Sequence, residues 1–469
     1  MENIVQTVTT VNNAVNGFVW GMPMLIMLVG TGILMTILTR AFQLSRFGYW
    51  MKKTIGGIFT NKHITAHTAK EDRSISQFQS LCTALAATIG TGNISGVAAA
   101  IATGGPGSVF WMWIVAIFGM MTNYSENVLG IYYRRKNFKG EWSGGAMYYL
   151  KDGLGSYKGC KQIGAVLAVL FSAFCLLASF GIGNMSQVNS IAANMTSAFS
   201  IPATVTGIVL VIIGALVIVG GLKRIAAVTE KLVPFMAIAY VIGALVIFFA
   251  NIGHVGAVFT AIFKGAFGLR AVGGGIVGSG VKLALTWGMK RGVFSNEAGL
   301  GTAPMAHAAA TSASPLVQAS IGMLDTFIDT IIVCTMTGFA ILVTGQWTSG
   351  LTGAAMTSAA FETSLPGIGG IAVTICLTFF AFTTALGWCV YGERCAIYFF
   401  GDKAQIPFRI VYCIAIPVGV LTQLDVVWLL ADTCNALMAI PNLIAILLLS
   451  PVLFKLVKED ESKDSIFKH

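Results

Sequence analysis

The sequence predicts an all-α protein that crosses a membrane many times, and three observations support this prediction. Of 469 residues, 56% are apolar, and only 48 carry a charge (29 Lys and Arg, 19 Asp and Glu), whereas an ordinary soluble domain has roughly 25% charged residues. The mean hydropathy is +0.79. The apolar residues also gather in stretches of about 20, which is enough for a helix to cross ~30 Å of hydrocarbon.

We predict eleven transmembrane helices, arranged as one extra N-terminal helix followed by two five-helix repeats of inverted topology. The first unit, 1–73, contains the N-terminal span and a cytoplasmic amphipathic helix at 42–60, where aromatic residues are mixed with Lys and Arg. The first repeat follows at 74–252, the inverted repeat at 253–455 and a cytoplasmic tail at 456–469. The spans are predicted at 18–39, 77–103, 107–133, 163–198, 203–222, 232–250, 273–300, 316–345, 367–393, 407–423 and 426–454.

The positive charges predict the orientation of the chain. The connections on one side of the membrane, together with the C-terminal segment, hold 24 Lys and Arg, whereas the other side holds only Lys264 and Arg270. Because cytoplasmic loops carry such an excess, we place the N-terminus outside and the C-terminus in the cytoplasm. The net charge of +10 lies mostly in these connections, so it indicates the lipid bilayer and not nucleic acid as the partner.

The second span is interrupted near its middle. Residues 85–96 read LAATIGTGNISG, and the glycines weaken an otherwise apolar helix. Irregular backbone at membrane depth is tolerated only where protein covers it or a water-filled cavity meets it. Close helix packing through small residues is the alternative interpretation.

The seventh span repeats this pattern. Residues 283–288 (LALTWG) share four of six positions with residues 85–90 (LAATIG), and both runs lead into Gly-, Ser- and Asn-rich sequence. The two runs open the two predicted repeats, one from the inside and the other from the outside. Corresponding broken helices in inverted repeats indicate a central binding site. A half-helix N-terminus there favours a carboxylate, and unwound carbonyls favour an ammonium group or a cation.

At these residues the sequence resembles the alanine/glycine:cation symporter family. The resemblance implies sodium-coupled, in some members proton-coupled, uptake of small neutral amino acids, chiefly alanine and glycine, across the plasma (inner) membrane of a prokaryote. It also implies a fold similar to that of the bacterial leucine transporter, with one extra N-terminal helix. The motifs that carry it are residues 91–96 (TGNISG), 104–113 (GGPGSVFWMW), 119–122 (GMMT), 144–150 (GGAMYYL) and 290–299 (KRGVFSNEAG).

The first wall of the expected substrate pocket is the break in the second span. We assign the backbone N–H groups of Thr91, Gly92 and Asn93 to the substrate carboxylate. The family resemblance implies that Gln187 in the fourth span reaches the same pocket, and a buried amide that joins two helices is the alternative interpretation.

The other wall is expected from the seventh span. Trp287, Phe294 and Asn296 would form it. The large rings would keep the pocket small, which favours alanine or glycine over leucine. Ordinary core packing is the alternative for these aromatic side chains.

The coupling ion is expected to be Na⁺, at Thr383 and Thr384 in the ninth span. In the related fold, two adjacent hydroxyl positions on this helix meet backbone carbonyls just before the first break, and here those carbonyls belong to Ala86 and Ile89. A cage of neutral oxygens suits Na⁺. Buried threonines also bond to carbonyls of their own helix, which is the alternative. No other cofactor is expected.

Buried acids are further functional candidates because ionisable side chains inside a membrane are costly. A static ion pair with a nearby basic residue is the alternative for each of them. If H⁺ and not Na⁺ drives uptake, one of these carboxylates must titrate. The candidates are Glu126, Glu297, Asp325, Asp329, Glu393 and Asp432.

Other functions were weighed against amino-acid symport. Uptake of glutamine by the same mechanism is the main alternative, followed by H⁺-coupled uptake of alanine. A channel is disfavoured because the chain has two inverted halves and no charged ring signature. An enzyme is disfavoured because the sequence has no HExxH or GxSxG motif and its five histidines lie outside the predicted spans. We therefore expect no catalytic residues.

Overall fold

The computed structural model describes residues 2–68, 74–137, 140–268, 276–312, 314–422 and 425–461. Most of these residues are helical. The predicted tail 456–469 lies outside the described residues from 462 onward, and Arg270 and the first three residues of the predicted seventh span also lie outside them.

The part of the chain that precedes residue 251 forms helices of very different lengths. In the described residues these are α1 (Glu2–Val19), α2 (Met22–Leu38), α3 (Phe42–Ser45), α4 (Phe47–Lys53), α5 (Ile55–Thr60), α6 (Lys62–Thr65), α7 (Gln77–Thr88), α8 (Val97–Gly104), α9 (Gly107–Tyr132), α10 (Ala146–Tyr148), α11 (Lys161–Phe180), α12 (Ser186–Phe199), α13 (Ala203–Ile218) and α14 (Gly221–Ala250).

The remaining described residues continue in the same way. They form α15 (Val255–Phe267), α16 (Ile276–Asn296), α17 (Ala303–His307), α18 (Pro315–Thr326), α19 (Thr335–Val343), α20 (Gly353–Ser364), α21 (Gly369–Phe400), α22 (Gln405–Leu421), α23 (Asp425–Leu448) and α24 (Ser450–Glu461).

Several α-helices are joined by short segments of 3₁₀ helix, which is wound more tightly than an α-helix, or of π-helix, which is wound more widely. Two short strands, β1 (Arg135–Lys136) and β2 (Trp142–Ser143), pair antiparallel. The 3₁₀ turns are Leu154–Ser156, Ile252–His254, Gln346–Thr348 and Asp402–Ala404. The π-helical turns are Gly92–Gly96, Tyr149–Gly153, Gly181–Met185 and Phe327–Cys334. Turns of the π type often occur at functional sites in helices.

Eight helical segments in the described residues are long and apolar enough to cross a membrane, or nine if α7 and α8 count as one bent span. The prediction of a helical protein with many spans is therefore confirmed. To reach eleven spans, two further helices would have to cross the membrane. These are α13, which has only 16 residues, and α16, which carries Lys282, Lys290 and Arg291. That count and the inverted-repeat layout stay predictions.

The segment predicted as one amphipathic helix, 42–60, forms three short helices, α3 to α5. The helix is interrupted at Thr54, whose hydroxyl donates to the carbonyl of Trp50 at 2.7 Å. Such bonds to a carbonyl four residues earlier bend helices. Trp50 itself is fully buried, and its indole N–H donates to the carbonyl of Gln43. The segment is thus packed against the bundle.

The bundle is apolar on its outer surface and polar within. Helix α13 exposes Ile208, Ile212 and Leu216, as expected of a helix that faces hydrocarbon. In contrast, α9 and α18 bury several hydroxyl, amide and carboxyl side chains. Because buried polar groups in lipid need partners, this interior is where a polar ligand can be held.

The end of the bundle that is predicted to be cytoplasmic carries a set of contacts that we call the Arg134 latch: Arg134, the carbonyls of residues 308, 310 and 312, and Ile75. The Arg134 guanidinium donates to these carbonyls at 2.8–3.0 Å and lies 4.1 Å from the Trp142 ring centre. Burial lowers the pKa of Arg134. Ile75 pairs with the same segment, through its N–H to Ala309 and its carbonyl to Thr311.

Candidate functional site

The break between α7 and α8 is built by a single asparagine. Helix α7 ends at Thr88, Ile89 is extended, and the two helices differ in direction by 49°. The Asn93 side-chain oxygen accepts the N–H of Gly90 at 2.8 Å, and the Asn93 N–H donates to the Gly90 carbonyl at 3.3 Å. The asparagine therefore satisfies backbone groups that the interrupted helix leaves without partners.

Asn93 also ties the break to the π-helical turn between α18 and α19. Its amide nitrogen donates to the carboxylate of Asp329 at 2.6 Å. The same carboxylate accepts from the hydroxyls of Ser295 at 3.0 Å and Thr330 at 2.8 Å. Asp329 is fully buried, so these donors stabilise a polar group far from water.

The interruptions predicted in the second and seventh spans meet here. A Cβ atom at Gly92 would lie 3.4 Å from Ser295 Cα and 3.5 Å from the ring of Phe294. Helix α16 ends at Asn296, and Glu297 has a left-handed φ of +56°. The chain is then non-helical until α17 begins at Ala303.

A narrow cavity of about 10 Å³, which has room for a single water-sized group, lies at this meeting point. Larger grooves on the outside of the bundle are lined mainly by apolar side chains. We assign the site to the small cavity because polar groups from several helices converge there. Its lining residues are Ala87, Thr88, Gly90, Gly92, Ile182, Gln187, Phe294, Glu297, Thr384 and Trp388.

Helix α21 contributes oxygen atoms to one side of the cavity. The Thr384 hydroxyl donates to the carbonyl of Ile89 at 3.2 Å and to that of Phe380 at 2.9 Å. This approach depends on Gly90, since a Cβ atom there would lie 2.4 Å from the Thr384 hydroxyl. The Thr383 hydroxyl bonds to carbonyls of its own helix, at Phe379 and Phe380.

The structure brings together only part of the predicted site. Gly92, Gln187, Phe294 and Thr384 line the cavity. The N–H of Thr91 donates to the Gln187 side-chain oxygen at 3.4 Å, so it lies beside the cavity and already has a partner.

Other predicted residues lie away from the cavity lining. Asn93 and Ile89 do not line the cavity, but they hold the break and contact Thr384 through the hydrogen bonds given above. Ala86 lies within α7, one residue before Ala87, the first residue of the cavity lining. Asn296 donates to the Thr330 hydroxyl and accepts the N–H of Ala298. Trp287 is partly buried, with the Arg291 guanidinium 5.3 Å from its ring centre.

Among the lining residues to which the sequence analysis gave no role, Trp388 and Thr88 contact buried acids through their side chains. The Trp388 indole N–H donates to the Glu297 carboxylate, and the Thr88 hydroxyl donates to Asp325 at 2.7 Å. Trp388 is one helical turn after Thr384, so the i, i+4 spacing on one helix face was the signal that could have found it. Helix α20 was also not predicted, and its Thr357 hydroxyl donates to the carbonyl of Ile94.

Comparison with known proteins gives a consistent result. The family model described as "Sodium:alanine symporter family" matches residues 5–466. The sodium/alanine symporter AgcS of Methanococcus maripaludis is 46% identical over 463 residues, which cover 97% of this chain and 98% of that protein. The probable sodium/glutamine symporter GlnT of Bacillus subtilis is 35% identical over 461 residues, or 96% and 91% of the two chains.

A solved structure shares the fold. The crystal structure of MhsT in complex with L-phenylalanine superposes with a TM-score of 0.53 and covers 83% of this chain and 99% of that one. The sequence identity is 14%, so the similarity concerns the fold alone. Together with the match over nearly the whole chain, it agrees with the resemblance found in the motifs.

Proposed function

The chain belongs to the sodium:alanine symporter family, and from this membership we propose that it couples Na⁺ influx to uptake of a small neutral amino acid, alanine or glycine. It is a multi-pass membrane transporter and not an enzyme, and its family supports Na⁺ as the coupling ion. The observation that carries the finer proposal is the contact of the Thr384 hydroxyl with the Ile89 carbonyl beside the cavity.

We propose that Na⁺ binds between α7 and α21. The carbonyls of Ala86 and Ile89 and the hydroxyls of Thr383 and Thr384 would supply neutral oxygen ligands. The Thr383 hydroxyl bonds to a carbonyl of its own helix and the Thr384 hydroxyl to that of Ile89, so the ion would take over acceptors that are already aligned. Neutral oxygens leave the positive charge of the ion uncompensated, which allows the membrane potential to act on it.

The substrate would lie in the cavity next to this ion. The Gly92 N–H, on the cavity wall, has no hydrogen-bond partner among the described residues, and it would donate to the substrate carboxylate. The Glu297 carboxylate, on the same wall, would pair with the ammonium group. Gln187, Phe294 and Trp388 would enclose a side chain as small as a methyl group.

The remaining predicted residues would act on the shape of this site. Thr91 and Asn93 hold the break in the second span through their bonds to Gln187, Gly90 and Asp329. We propose that Asn296 fixes the end of α16 in the same way, and that Trp287 supports the wall from outside the cavity lining.

The proposed mechanism is alternating access. Na⁺ binds first and completes the outward-facing site, the amino acid follows, and one helical bundle then rocks against the rest. A membrane potential supplies about 2.3 kcal/mol per charge per 100 mV. One Na⁺ at 100 mV therefore supports roughly 40-fold accumulation, at ~1.4 kcal/mol per tenfold ratio.

The same proposal includes the placement of the protein in the plasma (inner) membrane, with the N-terminus outside and the C-terminus in the cytoplasm. The distribution of Lys and Arg supports this orientation. It puts the Arg134 latch on the cytoplasmic side, where it would close the exit of the site.

Uptake of radiolabelled alanine into proteoliposomes tests the proposal. The measurement compares an inward Na⁺ gradient, an inward H⁺ gradient and no ion gradient, with unlabelled glycine and glutamine as competitors. We expect Na⁺-driven uptake that glycine blocks. Uptake blocked only by glutamine would replace the substrate and favour the activity named for GlnT, and H⁺-driven uptake would replace the coupling ion. No concentrative uptake under any condition would contradict the proposed coupling.

A further inference from the structure

Four carboxyl groups lie deep within the bundle without a basic partner. Glu126, Asp325 and Asp329 are fully buried and Glu297 is 3% exposed. None of the four forms an ion pair with Lys or Arg in the described part of the chain. The basic side chains near the core pair with other acids, as in Lys290–Asp432, Arg394–Glu141 and Arg409–Glu393.

Polar atoms without partners mark one place among these acids. Oε2 of Glu126, Oδ2 of Asp325 and the hydroxyl oxygen of Tyr391 are buried and accept or donate no hydrogen bond within the described residues. Tyr391 is fully buried and interacts electrostatically with Glu297, Asp325 and Glu126. We call Glu126, Glu297, Asp325 and Tyr391 the acid cluster.

The acid cluster cannot be fully ionised at low cost. Moving a charge into a low-dielectric interior costs several kcal/mol per ion, even after relaxation, and two like charges in one site raise the cost further. The cluster contains up to three negative charges, and Asp329 of α18–α19 adds a fourth nearby. Something positive must neutralise part of this charge.

Within the described ranges, the elements that neighbour the cluster offer no such positive charge. The groups that face the cluster are the Cys175 thiol of α11, the Asp329 carboxyl and, beside Glu126, the Tyr149 hydroxyl. Tyr149 donates to Asn442, which in turn donates to Glu126. Arg291 is buried on α16, and its electrostatic partner is Asp432.

The geometry points to a proton and not to a metal ion. Among the described residues, no three His, Cys, Asp or Glu side chains lie close enough together to hold a metal. A proton needs only one carboxyl oxygen, and an oxygen without a donor partner is where it can reside. We propose that the acid cluster is a proton-binding site, distinct from the Na⁺ site and adjoining the proposed substrate cavity through Glu297, that holds a proton at neutral pH in the absence of substrate.

The position of the acid cluster connects this proton to the transport site. Glu297 lines the cavity, so a cation or ammonium group that enters there favours the ionised carboxylate. Glu126 accepts the N–H group of Gly301, and its partner Asn442 donates to the Gly299 carbonyl. The proposed proton-binding site therefore lies against the non-helical segment that follows α16.

Infrared spectroscopy of the purified, lipid-reconstituted protein tests this proposal, and its first readout needs no substrate. Protonated carboxylic acids give a carbonyl-stretch band distinct from that of carboxylates, and the band shifts in deuterated water. We expect this band in the Na⁺-free wild type at neutral pH. It should shrink in Glu126→Gln and in Asp325→Asn, and shrink in the wild type when Na⁺ and alanine are perfused over the film.

The matched control is Glu393→Gln, which removes a buried carboxylate that Arg409 holds in its charged form through two hydrogen bonds. This variant should leave the band unchanged. Absence of the band in the Na⁺-free wild type, or a band of equal size in all variants, overturns the proposal even if Na⁺-driven alanine uptake is intact. The wild-type measurement decides the question if a variant does not fold.

Discussion

The hydroxyl of Thr384 donates a hydrogen bond to the carbonyl of Ile89 across 3.2 Å. The two residues are 295 positions apart in the sequence; Ile89 lies at the break that follows α7, and Thr384 lies opposite Gly90. The contact therefore defines how closely α21 approaches the broken span, and it places two oxygen atoms beside the cavity.

Loss of the Thr384 hydroxyl should weaken Na⁺ activation. In Thr384→Ala, one oxygen ligand disappears, and a hydrogen bond or ligand to a charged group contributes about 1.5–3 kcal/mol. We expect the half-saturating Na⁺ concentration to rise by about 10-fold or more, whereas Thr384→Ser should be close to wild type. Alanine uptake measured over a Na⁺ series gives both values.

The neighbouring hydroxyl gives a second, independent check of the Na⁺ site. Thr383→Ala should weaken Na⁺ dependence more than it lowers protein abundance, because the lost bonds are those to two carbonyls of its own helix and a weak one, at 3.5 Å, to the sulfur of Met236. If Na⁺ activation is unchanged in both alanine variants, the ion binds elsewhere.

Asn93→Ala should abolish binding of the amino acid. The substitution leaves the Gly90 N–H without its acceptor and removes one of three donors to Asp329. A buried polar group without a partner costs about 1–3 kcal/mol, so the unpaired Gly90 N–H alone implies binding roughly 10-fold or more weaker, and the loss of one donor to Asp329 adds to this. Isothermal calorimetry with alanine measures the dissociation constant.

The control for this prediction is Asn189→Ala. Asn189 also lies in a helix and donates to a backbone carbonyl, that of Gly419, but away from the break. It should bind alanine normally. A normal dissociation constant in Asn93→Ala would remove this residue from the site.

Trp388 should limit the size of the substrate. Its side chain packs on Gly183, where a Cβ atom would lie 2.4 Å from the Trp388 Cβ, and its indole N–H is held by Glu297. In Trp388→Leu the cavity grows, so glutamine should compete with alanine about 10-fold better, a typical value for a change of a few carbon atoms in a pocket. Competition for labelled alanine in proteoliposomes measures this.

Trp287→Leu tests which aromatic side chain, Trp287 or Trp388, limits the size of the pocket. The sequence predicts Trp287 in the pocket, and the structure places it outside the cavity lining. If Trp287→Leu and not Trp388→Leu changes the ratio of glutamine to alanine affinity, the wall expected from the sequence forms the pocket in solution.

Arg134→Ala should open the predicted cytoplasmic face. Three hydrogen bonds from a charged donor are lost, which is enough to shift a two-state equilibrium by at least about 10-fold. Cys82 of α7 is 1% exposed in the closed form. In a background without the other eight cysteines, its labelling by a maleimide should become correspondingly faster.

The neighbouring arginine provides the control for the latch. Arg135 is exposed and pairs with Asp152, so Arg135→Ala should label at the wild-type rate. Equal labelling rates in the two variants would show that Arg134 does not hold this face closed.

The broken helix could be predicted from sequence because its cause is local. Gly90, Gly92 and Asn93 disfavour a continuous helix wherever they occur together, and the structure has its break there. The expected contact between Thr384 and Ile89 came from the family resemblance, because no spacing rule in the sequence connects these two residues.

The rest of the site depends on packing between distant segments. Nothing near Asn93 in the sequence shows that its amide nitrogen would reach Asp329, 236 positions later. Trp388 and Trp287 are both aromatic residues on predicted spans, and only the rotation of each helix in the bundle decides which of them lines the cavity. The periodicity of side chains in the sequence predicts which face of a helix is buried. Which segment packs against that face depends on the tertiary structure.

The Arg134 latch has a consequence for which amino-acid substitutions this chain tolerates. Its three acceptors are main-chain oxygens, of Ala308, Ala310 and Ser312, and every amino acid carries such an oxygen. Those positions can exchange one small residue for another over generations without loss of the closure. The arginine has no such freedom, because only a planar guanidinium reaches three carbonyls at once. In a saturation mutagenesis screen for growth on alanine, position 134 should be intolerant while position 312 accepts many small residues.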